Sequence, residues 1–163
     1  MGELKRITVN ISDLKASADR SAFLITHSLG SCIGLIGYDP QAAVGALLHF
    51  QLPDSTNHGR RGQENPCMFA DTGIPLFLEQ LFALGASRSR IVVGMFGGAN
   101  MLDDEELFKI GTKNARATKK ILWQHAISVT HEDVGGHSSR TVSLEIGTGV
   151  IGLRRDGKVY NLS

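Results

Sequence analysis

The chain has 163 residues, 42% apolar and 20% charged, which is ordinary globular usage and excludes a disordered, fibrous or low-complexity protein. Its 17 basic and 16 acidic residues leave a formal charge of +1, so the broad positive field that phosphate backbones select is absent and nucleic acid is not an expected partner. No apolar run approaches the ~20 residues of a membrane helix, and residues 1–10 lack the apolar core of a signal peptide.

The expectation is therefore a soluble, cytoplasmic, monomeric protein with one domain over 1–163, large enough to bury roughly two thirds of its unfolded surface. In a reducing compartment Cys32 and Cys67 stay free thiols, and the sequons at Asn10 and Asn161 have no chemical meaning.

In chain order, residues 6–11 alternate like an edge strand and 22–25 form a short apolar strand leading into Leu29-Gly30-Ser31-Cys32. Two apolar runs, 33–38 and 44–50, flank Asp39-Pro40-Gln41-Ala42, a sequence suited to a type I turn, and predict a β-hairpin. Residues 51–71, with Pro53, Gly59, Gly62 and Pro66, read as a long polar loop. Asp71 or Thr72 then caps a helix whose apolar positions Ile74, Phe77, Leu78, Leu81 and Phe82 share a face, closed by Gly85.

A buried strand over 90–96 ends at Gly97-Gly98, and an acidic patch follows at 103–106. A second helix over 112–124 buries Ala115, Ile121 and Leu122 and leaves Lys113, Arg116, Lys119 and Lys120 wet. Residues 127–131, 141–146, 150–154 and 158–161 predict four more strands with turns at Gly135-Gly136, 147–149 and Asp156-Gly157. The class that follows is α+β: layered, mostly antiparallel sheets with two or three outer helices.

A four-residue turn over 39–42 sets Tyr38 opposite Ala43 and, counting outwards, Cys32 opposite His49. Directly opposed residues share a face with Cβ atoms about 4.5–5.5 Å apart, close enough for a thiol and an imidazole to interact. A nearby imidazole can lower a thiol's pKa and return the proton to a leaving amine. Gly30 and Ser31 leave little bulk beside the sulfur and could let backbone N–H groups face a developing oxyanion. The same pair reads equally well as the start of a core strand and a satisfied interior histidine.

Thr26-His27-Ser28-Leu29-Gly30-Ser31-Cys32, Tyr38-Asp39-Pro40 and Gly45 with His49-Phe50-Gln51-Leu52-Pro53 together resemble the chemoreceptor glutamine deamidases of the CheD family. The resemblance continues through Phe69-Ala70-Asp71, Gly97-Gly98-Ala99-Asn100-Met101, Ile110-Gly111 with Asn114, and Glu132-Asp133-Val134-Gly135-Gly136 with Arg140. It implies Cys32 as nucleophile, His49 as general base and Thr26 as the group orienting the imidazole, with Ser31, Gly30 and Gln51 near the substrate. It also implies a sandwich of strands with outer helices, similar to deamidating toxin domains.

The implied reaction is hydrolysis of glutamine side-chain amides in methyl-accepting chemotaxis receptors, releasing ammonia through a cysteine thioester. Hydrolysis of receptor glutamyl methyl esters is open to the same thioester. Two other readings stand beside it: a mainly regulatory binding module for a CheC-type chemotaxis phosphatase, and an amidohydrolase or transamidase acting on another protein. His27 and Ser28 depart from the small or apolar residues expected before Leu29, and Ser139 stands where the family often has glycine.

Gly147-Thr148-Gly149-Val150-Ile151-Gly152 matches a dinucleotide fingerprint, but no helix follows it, so a hairpin turn is expected. His27, His49, His58, His125, His131, His137 and Cys67 show no compact ligand spacing, and no metal or cofactor is predicted.

Overall fold

Buried apolar runs need cover on both sides, and two of this chain's strands have it. The computed structural model describes residues 2–100 and 105–162, the side chains of 105–108 excepted. One five-stranded sheet has the order β1 (Lys5–Thr8), β3 (Ala22–Leu29), β8 (Arg140–Glu145), β9 (Ile151–Arg155) and β10 (Lys158–Leu162). The second has the order β2 (Asp13–Ser17), β5 (Val44–Phe50), β4 (Ile33–Asp39), β6 (Val92–Gly97) and β7 (His131–Val134). The helices are α1 (Arg61–Glu64), α2 (Ala70–Ala83) and α3 (Glu105–Gln124).

β4 and β5 are buried along their whole length. On one face, Leu35, Leu48 and Phe50 pack with Ile74, Phe77 and Leu81 of α2 and Leu122 of α3. On the other, Ile36 and Leu47 meet Leu24, Leu29, Val142 and Leu144 of the facing sheet. The layers therefore run helices, sheet, sheet, which is the expected α+β class. The described pairings are antiparallel except β1 with β3 and β6 with β7.

Several local expectations change. β2 was not anticipated, and the strand expected over 127–131 forms instead at His131–Val134, where a polar segment pairs in parallel with β6. The expected loop over 51–71 contains α1 and a 3-10 turn, Pro66–Met68. Neither Asp71 nor Thr72 caps α2, whose N-cap is Phe69; Asp71 instead accepts hydrogen bonds from Ser55, and Thr72 donates to the Pro66 carbonyl. The expected acidic patch at 103–106 and Met101 lie outside what is described.

The hairpin register also differs, and this matters for the site. Asp39 pairs with Val44 and Tyr38 with Gly45, so the loop is 40–43 and every pair moves by two residues from the counted register. Asp39 is the last strand residue rather than the first turn residue. Its fully buried carboxylate accepts from the Gln41, Ala42 and Ser87 amides and from Arg90, whose Nη2 lies 2.9 Å away. Burial alone would raise its pKa, but Arg90 and these amides outweigh it and hold the carboxyl well below the usual range.

Because Asp39 joins the turn, the β6 entry and a guanidinium, it anchors the register. Asp39→Ala is expected to lower the unfolding free energy by about 2–3 kcal/mol in urea titrations. A loss under about 0.5 kcal/mol, the range of an ordinary surface change, would show that the carboxylate does not anchor the hairpin.

Candidate active site

A shift of two residues preserves the face a side chain points to. Cys32 and His49 therefore both face the other sheet, but His49 pairs with Gly34, and Cys32, just before β4, is its diagonal neighbour rather than its direct one. Diagonal positions are about 7–8 Å apart at Cα, within reach of longer side chains. The thiol and the imidazole are not hydrogen-bonded here: His49 Nε2 is buried with no partner among the described residues.

Thr26 meets His49 across the gap between sheets. It lies on β3, 0% exposed, with Oγ1 2.8 Å from His49 Nδ1 and 2.6 Å from the Val9 carbonyl. A carbonyl only accepts, so the single hydroxyl proton of Thr26 goes to Val9. Oγ1 must then accept from Nδ1–H. The ring is the Nδ1–H tautomer, and the Nε2 lone pair is left free.

Burial sets the protonation. The imidazole is 3% exposed, and burial pushes its pKa down to about 4. Burial pushes the Cys32 thiol up, partly opposed by its own backbone N–H against the sulfur. Both groups are therefore neutral at pH 7, a thiol beside a free base rather than a resting ion pair. A cavity of about 180 Å3 opens beside the imidazole, with Val9, Asn10, Thr26 and Ser28 in its wall.

The approach to Cys32 is shaped by a bulge. Thr26 pairs with Val142 and Leu29 with Arg140, so β3 has one extra residue, with Ser28 at φ 58. The bulge leaves His27 and Ser28 both exposed and returns Leu29 to the core. His27 thus faces solvent rather than the thiol.

Residues 30–32 are held from behind. The Gly30 carbonyl accepts from Ala99 N–H (2.8 Å), the Cys32 carbonyl from Gly98 N–H (2.9 Å), and the Ser31 carbonyl from Asn114 Nδ2 (2.9 Å). Gly97 has φ 114, and a Cβ there would come 2.1 Å from the Cys32 carbonyl oxygen, so only glycine fits. Arg140, 3% exposed, donates to the Gly97 carbonyl and pairs with Asp133 at 2.7 Å. Asn114 also donates to the Gln51 carbonyl (2.8 Å), tying the turn of residues 30–32 to the end of the strand that carries His49.

Of the residues singled out in the sequence, Thr26 and His49 are in contact, while Gly30, Ser31 and Cys32 form the adjoining turn and Gln51 contributes its backbone. Asn114 and Arg140 entered only through the resemblance, whereas the Gly97-Gly98 pair already stood out as the end of the 90–96 strand. A signal for Asn114 was present: it is a polar residue on the inward face of α3, with Gly111, Thr118 and Leu122. Cys67 packs beside the helix-side core, away from this turn. Of the fingerprint-like glycines at 147–152, Gly147 and Gly149 lie in the turn between β8 and β9 and Gly152 lies in β9.

The His49 pKa also predicts a pH effect on stability. An unfolded imidazole binds its proton near pH 6.5, but the folded one only near 4. Between these values the unfolded chain holds more protons, so this contribution is complete above about pH 6.5 and falls as pH drops towards 4. The difference in melting temperature between wild type and His49→Gln is expected to shrink over that window; a constant difference would contradict the depressed pKa.

Comparison with known proteins identifies the family. A family model described as CheD chemotactic sensory transduction matches residues 51–155, a span that begins just after His49. Full-length relatives extend across the site. A probable chemoreceptor glutamine deamidase CheD of Solibacter usitatus is 48% identical over 159 residues, 98% of this chain and 94% of the relative. CheD 1 of Syntrophus aciditrophicus is 42% identical over 93% of this chain and 94% of its own, and CheD of Pyrococcus horikoshii 39% identical over 96% and 97%. By both the family model and these relatives, the chain belongs to the CheD family.

Proposed function

We propose that the protein is a chemoreceptor glutamine deamidase in which Cys32 is the nucleophile, His49 the general base and Thr26 the group that orients the imidazole. The observation that carries this reading is the buried Nε2 of His49, without a partner among the described residues, in a ring whose tautomer follows from the Thr26 contact with Val9. The relatives' names supply the substrate class. The reaction is inferred to take place in the cytoplasm, at the receptors' signalling segments.

In the first half-reaction the Cys32 proton passes to His49 Nε2 as the sulfur bonds to the glutamine side-chain carbonyl carbon. The tetrahedral oxyanion then collapses, the C–N bond breaks, and Nε2 returns the proton to the departing nitrogen as ammonia. Nε2 next takes a proton from water as its oxygen attacks the thioester. The C–S bond breaks, the proton goes to sulfur, and glutamate is released.

Thr26 suits this cycle because a neutral hydroxyl orients the ring without adding a charge that would hold it as imidazolium. Each turnover adds one negative charge to a receptor helix, which alters its pairing with neighbouring helices.

Incubation with receptor cytoplasmic fragments, followed by peptide mass spectrometry, tests the reading. Wild type is expected to convert specific glutamines to glutamate and Cys32→Ala to convert none; conversion by Cys32→Ala would remove the thioester. Thr26→Val, which keeps the shape and removes the hydroxyl, is expected to lower kcat by about ten- to a hundredfold, with Thr26→Ser retaining most activity. Equal rates for Thr26→Val and wild type would contradict the orienting role.

A further inference from the structure

The three carbonyls of residues 30–32 are all bonded on the protein side, two by backbone N–H groups and one, that of Ser31, by a side chain. In a trans peptide the C=O of one residue and the N–H of the next point in opposite directions. Carbonyls of Gly30 and Ser31 held inwards therefore turn the N–H groups of Ser31 and Cys32 outwards. Neither N–H donates to any acceptor among the described residues. The Cys32 N–H lies against its own sulfur. Adjacent amides beside a nucleophile, neither committed to another residue among those described, are the geometry that receives an oxyanion.

We propose that Asn114 is a positioning residue that, by holding the Ser31 carbonyl, aims the Ser31 and Cys32 N–H groups at the oxygen of the tetrahedral intermediate. The proposal rests on the deamidase reading above. Asn114 is suited to this role because it is 0% exposed, and its two N–H bonds, to Ser31 and Gln51, leave it no freedom to turn. Its Oδ1 is buried with no partner among the described residues, an arrangement that costs stability. Among the described residues, it is the only side chain that bonds a carbonyl of residues 30–32.

The consequence separates two reactions of the same sulfur. Deamidation passes through an oxyanion, whereas alkylation by iodoacetamide displaces iodide and forms none. Asn114→Ala is expected to lower kcat for receptor glutamine conversion at least about thirtyfold, towards the hundred- to thousandfold loss of an oxyanion donor. The rate and pH profile of iodoacetamide alkylation at Cys32, followed by peptide mass, should stay within about threefold of wild type.

Asn114→Ser, with one hydroxyl donor, should fall between, and its ratio carries the same decision if Asn114→Ala does not fold. Thr118→Val, one turn along α3, should leave both reactions unchanged. Parallel loss of deamidation and alkylation would make Asn114 a general brace and overturn the proposal, as would an unchanged kcat. No conversion by wild type would instead remove the deamidase reading, and this inference with it.

Discussion

The hydrogen bond between Thr26 and His49 joins the two sheets within a core filled mainly by leucine, isoleucine and valine. A buried imidazole without a partner on one side would cost stability, so its other nitrogen must be well satisfied. The satisfaction has a direction. Val9 receives the threonine proton, the threonine oxygen receives the Nδ1 proton, and the remaining lone pair sits at Nε2 on the face shared with Cys32. Folding and proton chemistry thus depend on the same chain of two hydrogen bonds.

The partner is a hydroxyl rather than a carboxylate. Asp13 pairs with His49 on the neighbouring strand, yet its carboxylate accepts from the Asn10 and Leu14 amides. Without a charged partner, burial dominates and the imidazole stays neutral. The thiol is held protonated for the same reason. Under the proposed mechanism such a neutral pair stores no reactive thiolate at rest and transfers its proton only as the carbonyl is attacked.

Much of this arrangement was legible in the sequence because it rests on strong local signals. The runs 33–38 and 44–50 are apolar without interruption since both faces of β4 and β5 are covered. The face shared by Cys32 and His49 followed from parity alone. The register did not: Asp39 looks like a turn residue, and only the Arg90 and Ser87 contacts, 51 and 48 residues away, make it a buried strand end. β2 and β7 were hidden for a similar reason, since Asp13–Ser17 and His131–Val134 are polar edges whose strand character comes from pairing. The supports behind Cys32, from Gly97, Arg140 and Asn114, are long-range contacts whose partners no local pattern specifies.

The central claim concerns one proton on one ring, and it is measured most directly by 15N chemical shifts of His49 at pH 7 in histidine-labelled protein, assigned with His49→Gln. The account predicts a neutral ring with a protonated Nδ1 and an Nε2 in the lone-pair range. An Nε2–H tautomer, or an imidazolium at that pH, would contradict it.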